Sequence, residues 1–486
     1  MNESKIPQPL EELRQHWYQT SITGMPGFDW LGQHVTGEWL VEQVRLERQH
    51  LSSIFNSDQK QNSQLIVGIA VPDGIENLVL GVALALEGIA QAILPVTASV
   101  TEQRQLTHRY GLTHCIAAKG LINLDDWLPY GPSAQGLECF KRLETRDNQN
   151  LSNAEVVPKN ILFVGATSGT TTGKPGLFYR DLKTVREWII QRHWVPQLLL
   201  KKPLITPSMQ HWSDRIRKIL RLLRGHSFVI RYAERPLAEM PISEDCDGSL
   251  SPPSTLRRQL SRGDFQHCPH GFLIISSSDH VPRSLRKSIA SIKDISLGIS
   301  YATSQTGPLT WLPPEALLDE TDSVGWLLNH VTLDPLNNSD GFERDGLRFR
   351  EALIKTPSRT LNPGDLLAIS SSDQIIFGGR SNDVFLYNSN LISPAEIEEV
   401  IYSHPGIQEC AAFGASSARF GGVPMAAVTA HPGWSSDQVI QEVDSLCREA
   451  LGFRRPHRFI EMQNIPKGST GKVLRRDLRS QYALKQ

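Results

Sequence analysis

Uninterrupted apolar runs, rather than alternating ones, mark the first part of the chain. Leu65 to Val71 reads LIVGIAV, the pattern of a strand buried on both faces. A Pro-Asp-Gly turn follows, then a predicted apolar helix from about Glu76 to Ala92 and a second strand from Ala92 to Pro95. This strand–helix–strand order predicts a parallel α/β sheet. Ile161 to Val164, Phe228 to Tyr232, Phe272 to Ile275 and Leu297 to Tyr301 are further strand candidates, and Ser213 to Leu223 has helical periodicity. Glu234 to Thr255 is rich in Pro, Ser and acids and is expected to be a surface loop.

The texture changes from about Asp365. Leu366 to Ile369 and Ile375 to Phe377 read as a hairpin, followed by Gly378-Gly379-Arg380. Ser393-Pro394-Ala395-Glu396 then places a Ser cap, a Pro at the first helical position and a Glu three after the cap, a strong helix start. Strands are expected near Cys410 to Phe413 and Met425 to Thr429, with a helix from about Ser436 to Leu451. The expected fold is α/β. A large N-terminal domain, residues 1–380, has parallel or mixed sheets packed with helices, and a small α+β domain occupies residues 381–486.

Composition narrows the function classes. The 486 residues exceed what one compact core holds. Fifty Lys and Arg against 51 Asp and Glu leave no global charge for nucleic acid or an anionic membrane. The six cysteines are scattered without a C-x-x-C pair, which points away from a disulfide framework and toward a reducing cytoplasm. The charged, Pro-interrupted start MNESKIPQPLEELRQ lacks the apolar core of a signal peptide. The longest apolar run, Leu78 to Leu86, falls well short of the ~20 residues of a membrane helix.

The candidate chemistry centres on VGATSGTTTGKPGLF, residues Val164 to Phe178. Small residues let backbone N–H groups approach an anion, hydroxyls add donors and Lys174 adds charge. A nucleotide-triphosphate P-loop would need four residues between its glycines and a hydroxyl after its lysine. Gly169 and Gly173 are separated by three residues, and Pro175 follows Lys174. No G-x-G-x-x-G is present either. A phosphate loop of another kind and a flexible Gly-Thr turn both remain open on these residues alone.

Thr167-Ser168-Gly169-Thr170-Thr171 with Gly173-Lys174-Pro175 resembles the T-S-G-T-T-G-x-P-K-G loop of the acyl-adenylate-forming superfamily. Further matches follow in order. Tyr301-Ala302-Thr303-Ser304-Gln305 resembles its Y-G-x-T-E segment, Pro363-Gly364-Asp365 its T-G-D, and Gly379-Arg380-Ser381-Asn382-Asp383 its G-R-x-D hinge. Ser393 to Glu398 resembles the helix start after the hinge, and Ile465 to Arg475 (IPKGSTGKVLR) the terminal L-P-x-t-x-x-G-K-[IV]-x-R motif. The likeness runs from about Ile66 to Leu478.

The resemblance implies ATP-dependent activation of a carboxylate. The acid attacks the α-phosphate to give an acyl-adenylate and pyrophosphate, and then passes to a phosphopantetheine thiol of CoA or of an acyl carrier protein. By resemblance, Lys472 supplies the catalytic charge, and Thr167, Ser168, Gly169, Thr170, Thr171, Thr172, Gly173 and Lys174 hold the phosphates. Tyr301 lies against adenine, Asp365 accepts from the ribose hydroxyls, Arg380 contacts ribose or phosphate, and Ser304 and Gln305 belong to the same ATP site. Ala302 and Thr303 adjoin the substrate, and Asn382 is the hinge about which the small domain rotates between half-reactions. Mg2+ is the implied metal, with Gln305 in the place of a usual Glu ligand.

The chain departs from the family pattern in several places. The phosphate loop carries an extra Thr, and Gly176 stands where a Lys follows Pro. Ser276 to Asp279 (SSSD) replaces small residues beside the adenine, and Asn388-Ser389 replaces the K-G that borders the thiol tunnel of many CoA ligases. Amino-acid-activating members place an Asp about thirteen residues before a Gly; counting back from Gly225 reaches Trp212. His211 matches a position that shapes the acyl site. A fatty or aryl carboxylic acid is therefore expected, with an amino-acid adenylating enzyme and a degenerate, nucleotide-binding interaction subunit as the alternatives. Asp264 to His270 is expected to be a surface loop rather than a metal site. The basic tail from Arg454 to Arg479 is expected to be partly a solvated face.

Overall fold

The computed structural model describes residues 7–59, 65–122, 126–132, 136–143, 158–166, 177–190, 195–303, 305–319, 322–336, 341–357, 359–388, 390–417, 421–467 and 473–483. Its contacts divide the chain into two compact units. One comprises Met1–Thr167, Pro175–His193 and Lys201–Arg235; the other comprises Ser168–Lys174, Trp194–Leu200 and Pro236–Gln486.

In the first unit the apolar run becomes strand Ile66–Ala70, buried at every position. It pairs in parallel with Ala90–Ile93 on one side and His114–Ala117 on the other, and Ala90–Ile93 pairs in parallel with Ile161–Ala166. Leu177–Asp181 closes one edge antiparallel to Ile161–Ala166. Polar edges never reach these central strands, which explains their unbroken hydrophobicity. The helix that follows the first strand spans Ile75–Leu86 and stops six residues earlier than expected. Gly88, at φ +70°, takes the left-handed conformation that ends it, and the next strand begins at Ala90 rather than Ala92. In the same unit Phe28–Trp30 and Pro203–Ile205 both pair in parallel with Val229–Ile230, and Gln33–Val35 pairs antiparallel with Phe28–Trp30.

In the second unit Gly248–Ser251, Phe272–Ser276 and Ile295–Ile299 form a parallel set in register, Leu250 facing Ile275 and Ile274 facing Leu297. The Ser- and Pro-rich stretch is thus only partly a loop. Gly248–Ser251 is a strand, and Pro253 opens the helix Pro253–Arg262 because proline suits a first helical turn. Gly248 has no room for a side chain; a Cβ would lie 2.0 Å from the carbonyl oxygen of Leu273. Asp264–His270 is a surface segment in part: Gln266, His267 and His270 are exposed, while Asp264 and Phe265 are buried in a 3-10 turn. Asp264 accepts from Leu237 N at 3.2 Å and from Arg262 Nη2 at 2.5 Å.

The hairpin Asp365–Ile369 with Ile375–Arg380 forms as expected, with an irregularity between Asp365 and Leu367. After it, the long hairpin Ile407–Ser417 with Gly421–Ala430 pairs along its length, and Arg458–Glu461 adds in parallel. Helices Pro394–Ile401 and Ser436–Leu451 bury Ile397, Ile401, Val439 and Val443 on one face of this sheet. Helix Arg475–Gln481 buries Leu478 beside Phe413 and Met425 on the other. Ser393 precedes Pro394 as expected, but its hydroxyl does not cap the helix; it donates to Gly378 O at 2.8 Å.

Candidate active site

A cavity in the second unit is lined by residues brought from separate stretches of sequence, among them Ser278 to Val281, Ile299 to Ala302, Asp365, Phe377, Gly379 with Arg380, and Val473 with Arg475. The Pro363-Gly364 turn aims Asp365 inward. Gly364 sits at φ +71°, its N–H donates to Asn362 Oδ1 at 2.9 Å, and its carbonyl accepts from Ser381 N at 2.9 Å. Asp365 is 5% exposed, and Tyr301 Oη donates to its Oδ2 at 2.6 Å. Arg380, opposite Asp365 in the hairpin register, brings Nε to 3.6 Å from Oδ1. Burial, and then the Asp365 charge, push the Tyr301 phenol well above its ordinary pKa, so it remains a donor.

Ala302 and Thr303 form a two-residue strand antiparallel to Gly307–Pro308, and Ala302 lines the cavity. Thr303 Oγ1 faces Thr306 Oγ1 at 2.8 Å and accepts from Thr306 N, with Gln305 between them in the turn. The polar stretch Ser276 to Asp279 does face this cavity through Ser278 and Asp279, as the departure from small residues implied. Ser278 holds φ +85°, a strained conformation for a residue with a Cβ.

Beneath this wall lies a charge cluster that the sequence did not bring to attention. His280 Nε2 stands 2.8 Å from Asp322 Oδ1 and 3.9 Å from Glu399 Oε2, and Arg344 Nη2 donates to Asp322 Oδ2 at 2.8 Å. Phe377 stacks over the His280 ring at 6.5 Å. Burial opposes a charged imidazole, but the Asp322 hydrogen bond and charge, with Glu399, outweigh it and raise the His280 pKa. Burial would raise Asp322, yet His280, Arg344 and Arg286 hold it down to about 2. The three ligand-type atoms lie within 4.8 Å of one another, but Arg344 and Arg286 already supply the positive charge a cation would bring. The group is an ion network, not a convincing metal centre.

A second network joins the turn Asn382–Asp383 to the helix Arg475–Gln481. Arg475 Nη2 donates to Glu398 Oε1 at 2.6 Å and Nε to Ala412 O at 3.1 Å, and Nη1 reaches Asp383 Oδ2 at 3.4 Å. Arg479 donates to the carbonyls of Asn382 at 3.0 Å and Asp383 at 2.6 Å. Glu398 is buried, and burial drives its pKa up against the Arg475 charge. Much of the basic tail is paired rather than solvated: Arg454 with Glu396 at 2.5 Å, Arg455 with Asp444 at 2.8 Å, and Lys467 with Glu409.

The structure therefore brings together Tyr301, Ala302, Asp365 and Arg380 of the expected set, with Asn382 adjoining through Asp383. Lys472, Ser304 and the loop Thr167, Ser168, Gly169, Thr170, Thr171, Thr172, Gly173 and Lys174 lie outside the described residues. His211 and Trp212 belong to the first unit, where they open the helix Trp212–Leu223. His211 Nδ1 meets Ser213 Oγ at 2.7 Å, and Trp212 packs edge-on to Phe178 at 4.1 Å. Their loop is pinned from both sides. Met209 N donates to Asp73 Oδ1 at 2.6 Å, and Lys218 Nζ to Ser208 O at 2.7 Å. Among the described residues no helix is long and apolar enough to cross a membrane.

Comparison with known proteins adds sequence and fold evidence. Residues 396–472 match the AMP-binding enzyme C-terminal domain. A 4-coumarate-CoA ligase 2 of Narcissus pseudonarcissus is 25% identical over 213 residues, 38% of this chain and 37% of the relative. The mitochondrial medium-chain acyl-CoA ligase ACSF2 of Macaca fascicularis is 23% identical over 395 residues, 74% of this chain and 62% of the relative. The chain thus spans less than two thirds of the length of these relatives. The fold matches that of the Bacillus subtilis o-succinylbenzoate CoA synthetase MenE, bound to its acyl-adenylate OSB-AMP, with TM-score 0.70 at 18% identity over 96% of this chain and 97% of that one. It also matches the amide bond synthetase McbA of Marinactinospora thermotolerans, with TM-score 0.74 at 17% identity over 97% and 100%.

Proposed function

We propose that this chain, a member of the acyl-adenylate-forming superfamily, is an acid–thiol ligase that activates a fatty or aryl carboxylic acid with ATP. The observation that carries the reading is the set Tyr301, Arg380 and buried Asp365, facing one cavity with Val473 and Arg475, the end of the Lys472 motif. Asp365 accepts from the ribose hydroxyls, and Arg380 stands beside it as a cation for ribose or phosphate. Loop 167–174 holds the β- and γ-phosphates.

A carboxylate oxygen of the acid forms a bond to the α-phosphorus of ATP, and the bond to the bridging oxygen breaks, releasing pyrophosphate. Lys472 screens the two anions in that step. A phosphopantetheine thiol of CoA or a carrier protein then attacks the acyl carbon; its proton leaves to solvent and AMP departs. Residues 381–486 act as a small domain that turns about Asn382 between the two steps. Mg2+ would add charge at the phosphates; the residues offer it Gln305, a neutral amide oxygen, rather than a carboxylate. Trp212, in the register where amino-acid-activating enzymes place an Asp, favours an acid without an α-ammonium group. His211 and Trp212 shape the acyl site, and the scattered cysteines favour action in the cytoplasm.

The test is pyrophosphate release over a panel of fatty, aryl and amino acids, repeated with CoA, a phosphopantetheinylated carrier protein and simple amines. Release with an acid, lowered about 100-fold or more by Lys472→Ala, is the expected result. Release that survives Lys472→Ala overturns the mechanism. ATP binding without release for any acid would mark the chain as a non-catalytic nucleotide-binding subunit.

A further inference from the structure

We infer that Arg475 is the positioning residue for the Lys472 segment, and that it ties the neck of that segment to the hinge turn Asn382–Asp383; this rests on the reading above, in which Lys472 is the activating cation. The two ends of the chain that flank residues 468–472 are fixed to each other. Lys467 and Val473 form an antiparallel bridge, Leu474 N donates to Pro466 O at 2.9 Å, and Ile465 is buried at 4% exposure.

Arg475 then fastens this neck to three other places at once. Its guanidinium reaches Glu398 at the 394–401 helix, the Ala412 carbonyl in the central hairpin, and the Asp383 carboxylate at the hinge. Glu398 Oε1 also accepts from Ala412 N at 2.8 Å, so carboxylate, strand and guanidinium form one closed unit. One turn along the helix, Arg479 grips both hinge carbonyls. Val473 and Arg475 face the cavity that holds Tyr301 and Asp365. A planar fork with donors in several directions can make these three contacts together; a lysine cannot. The turn Asn382–Asp383 and the neck made by Pro466, Lys467, Val473 and Leu474 are therefore held as one piece, and Arg475 fixes the base from which residues 468–472 leave.

Arg475→Lys tests this, because it keeps a positive charge opposite buried Glu398 and so preserves the fold. The expected result is a fall of about 100-fold in kcat for acid-dependent pyrophosphate release, the loss that a misplacement of about 1 Å produces. The KM for ATP and the rate of thioester formation from added acyl-adenylate stay within about threefold, since neither step uses Lys472. Amide exchange at Leu474 and Ala412 quickens in the variant. A second variant, Arg475→Met with Glu398→Leu, removes both charges; its melting temperature recovers but its pyrophosphate release does not.

Equal loss in both half-reactions, or release restored in the double variant, would reduce Arg475 to a structural residue and overturn the inference. Unchanged release and unchanged exchange in Arg475→Lys would do the same. If the unaltered protein releases pyrophosphate with no acid, the proposed function fails, while the exchange comparison still decides whether Arg475 holds the neck.

Discussion

In the first unit Arg215 and Lys218 are buried among neutral acceptors; in the second, Arg475 and Arg344 are half-buried against carboxylates. Arg215 donates to Asn77 Oδ1 at 3.1 Å and to Gln91 Oε1, and Lys218 to Ser208 O at 2.7 Å and Asp214 O at 3.3 Å. Burial pushes Arg215 down to about 9 and Lys218, against the opposing charges of Asp214 and Asp73, down to about 8. Burial acts on Arg475 too, but Glu398 and Asp383 overcome it and its pKa rises. Dipoles satisfy geometry at the cost of a weakly held proton, whereas carboxylates hold the proton and make each partner dependent on the other. The first arrangement suits a static platform, such as the loop carrying His211. The second suits a joint whose parts must stay together.

That contrast can be broken most severely at Glu398. Glu398→Leu alone leaves Arg475 half-buried without its main partner, and urea denaturation should show a loss of about 3–5 kcal/mol. A loss below 1 kcal/mol would mean that Asp383 suffices, and the two regions would differ less than proposed.

The next effect belongs to Lys218. Its folded pKa is depressed, so its contribution is complete above the unfolded value near 10.5 and is lost as pH falls through about 8. The stability of the protein relative to Lys218→Met should therefore rise between pH 8 and 10.5, by ~3 kcal/mol if the whole shift is expressed. A flat difference across that range would show that Lys218 stays charged.

The smallest effect is expected at His280. Its folded pKa is raised, so its contribution is complete below the unfolded value of about 6.5 and is lost as pH rises through the higher folded value. His280→Gln should thus cost more at pH 6 than at pH 9 in thermal or urea unfolding, and an equal cost at both would show that the imidazole gains no proton affinity on folding. The groups facing the ring, Asp322, Glu399, Arg286 and Arg344, carry both signs, which keeps this effect modest.

Local signals were legible where one segment contains the whole cause. The apolar run at Ile66–Ala70, the helix Trp212–Leu223 and the hairpin that carries Asp365 and Arg380 each follow from periodicity and turn residues close in sequence. The strand Gly248–Ser251 was not legible, because GSLS has no apolar run and its pairing partner lies on Phe272–Ser276. The helix before Gly88 ends sooner than its composition suggests, because apolar content continues through Ile89 to Ala92 while the backbone turns. Ser393 carried the signature of a cap, yet its hydroxyl is taken by Gly378, a partner fifteen residues away. His280, Asp322 and Glu399 meet only through the fold, and their one sequence trace is a His beside the unusual SSSD stretch. Glu398 sits inside a recognisable helix start, but nothing local tells it from half-buried Glu396 and Glu399 as the partner of Arg475.

The hydrogen bond from Tyr301 to Asp365 bears on how a nucleotide enters. The carboxylate that the proposed reaction reserves for ribose already holds one hydroxyl donor, at 2.6 Å. A ribose bound there would meet a carboxylate that already has this donor, not a bare one. Exchanging one O–H donor for another is nearly neutral in free energy, so this contact sorts sugars by shape more than it strengthens binding. The same phenol lets the protein reach and keep its fold before any nucleotide is present, with its most buried functional carboxylate occupied by a substitute of its own making.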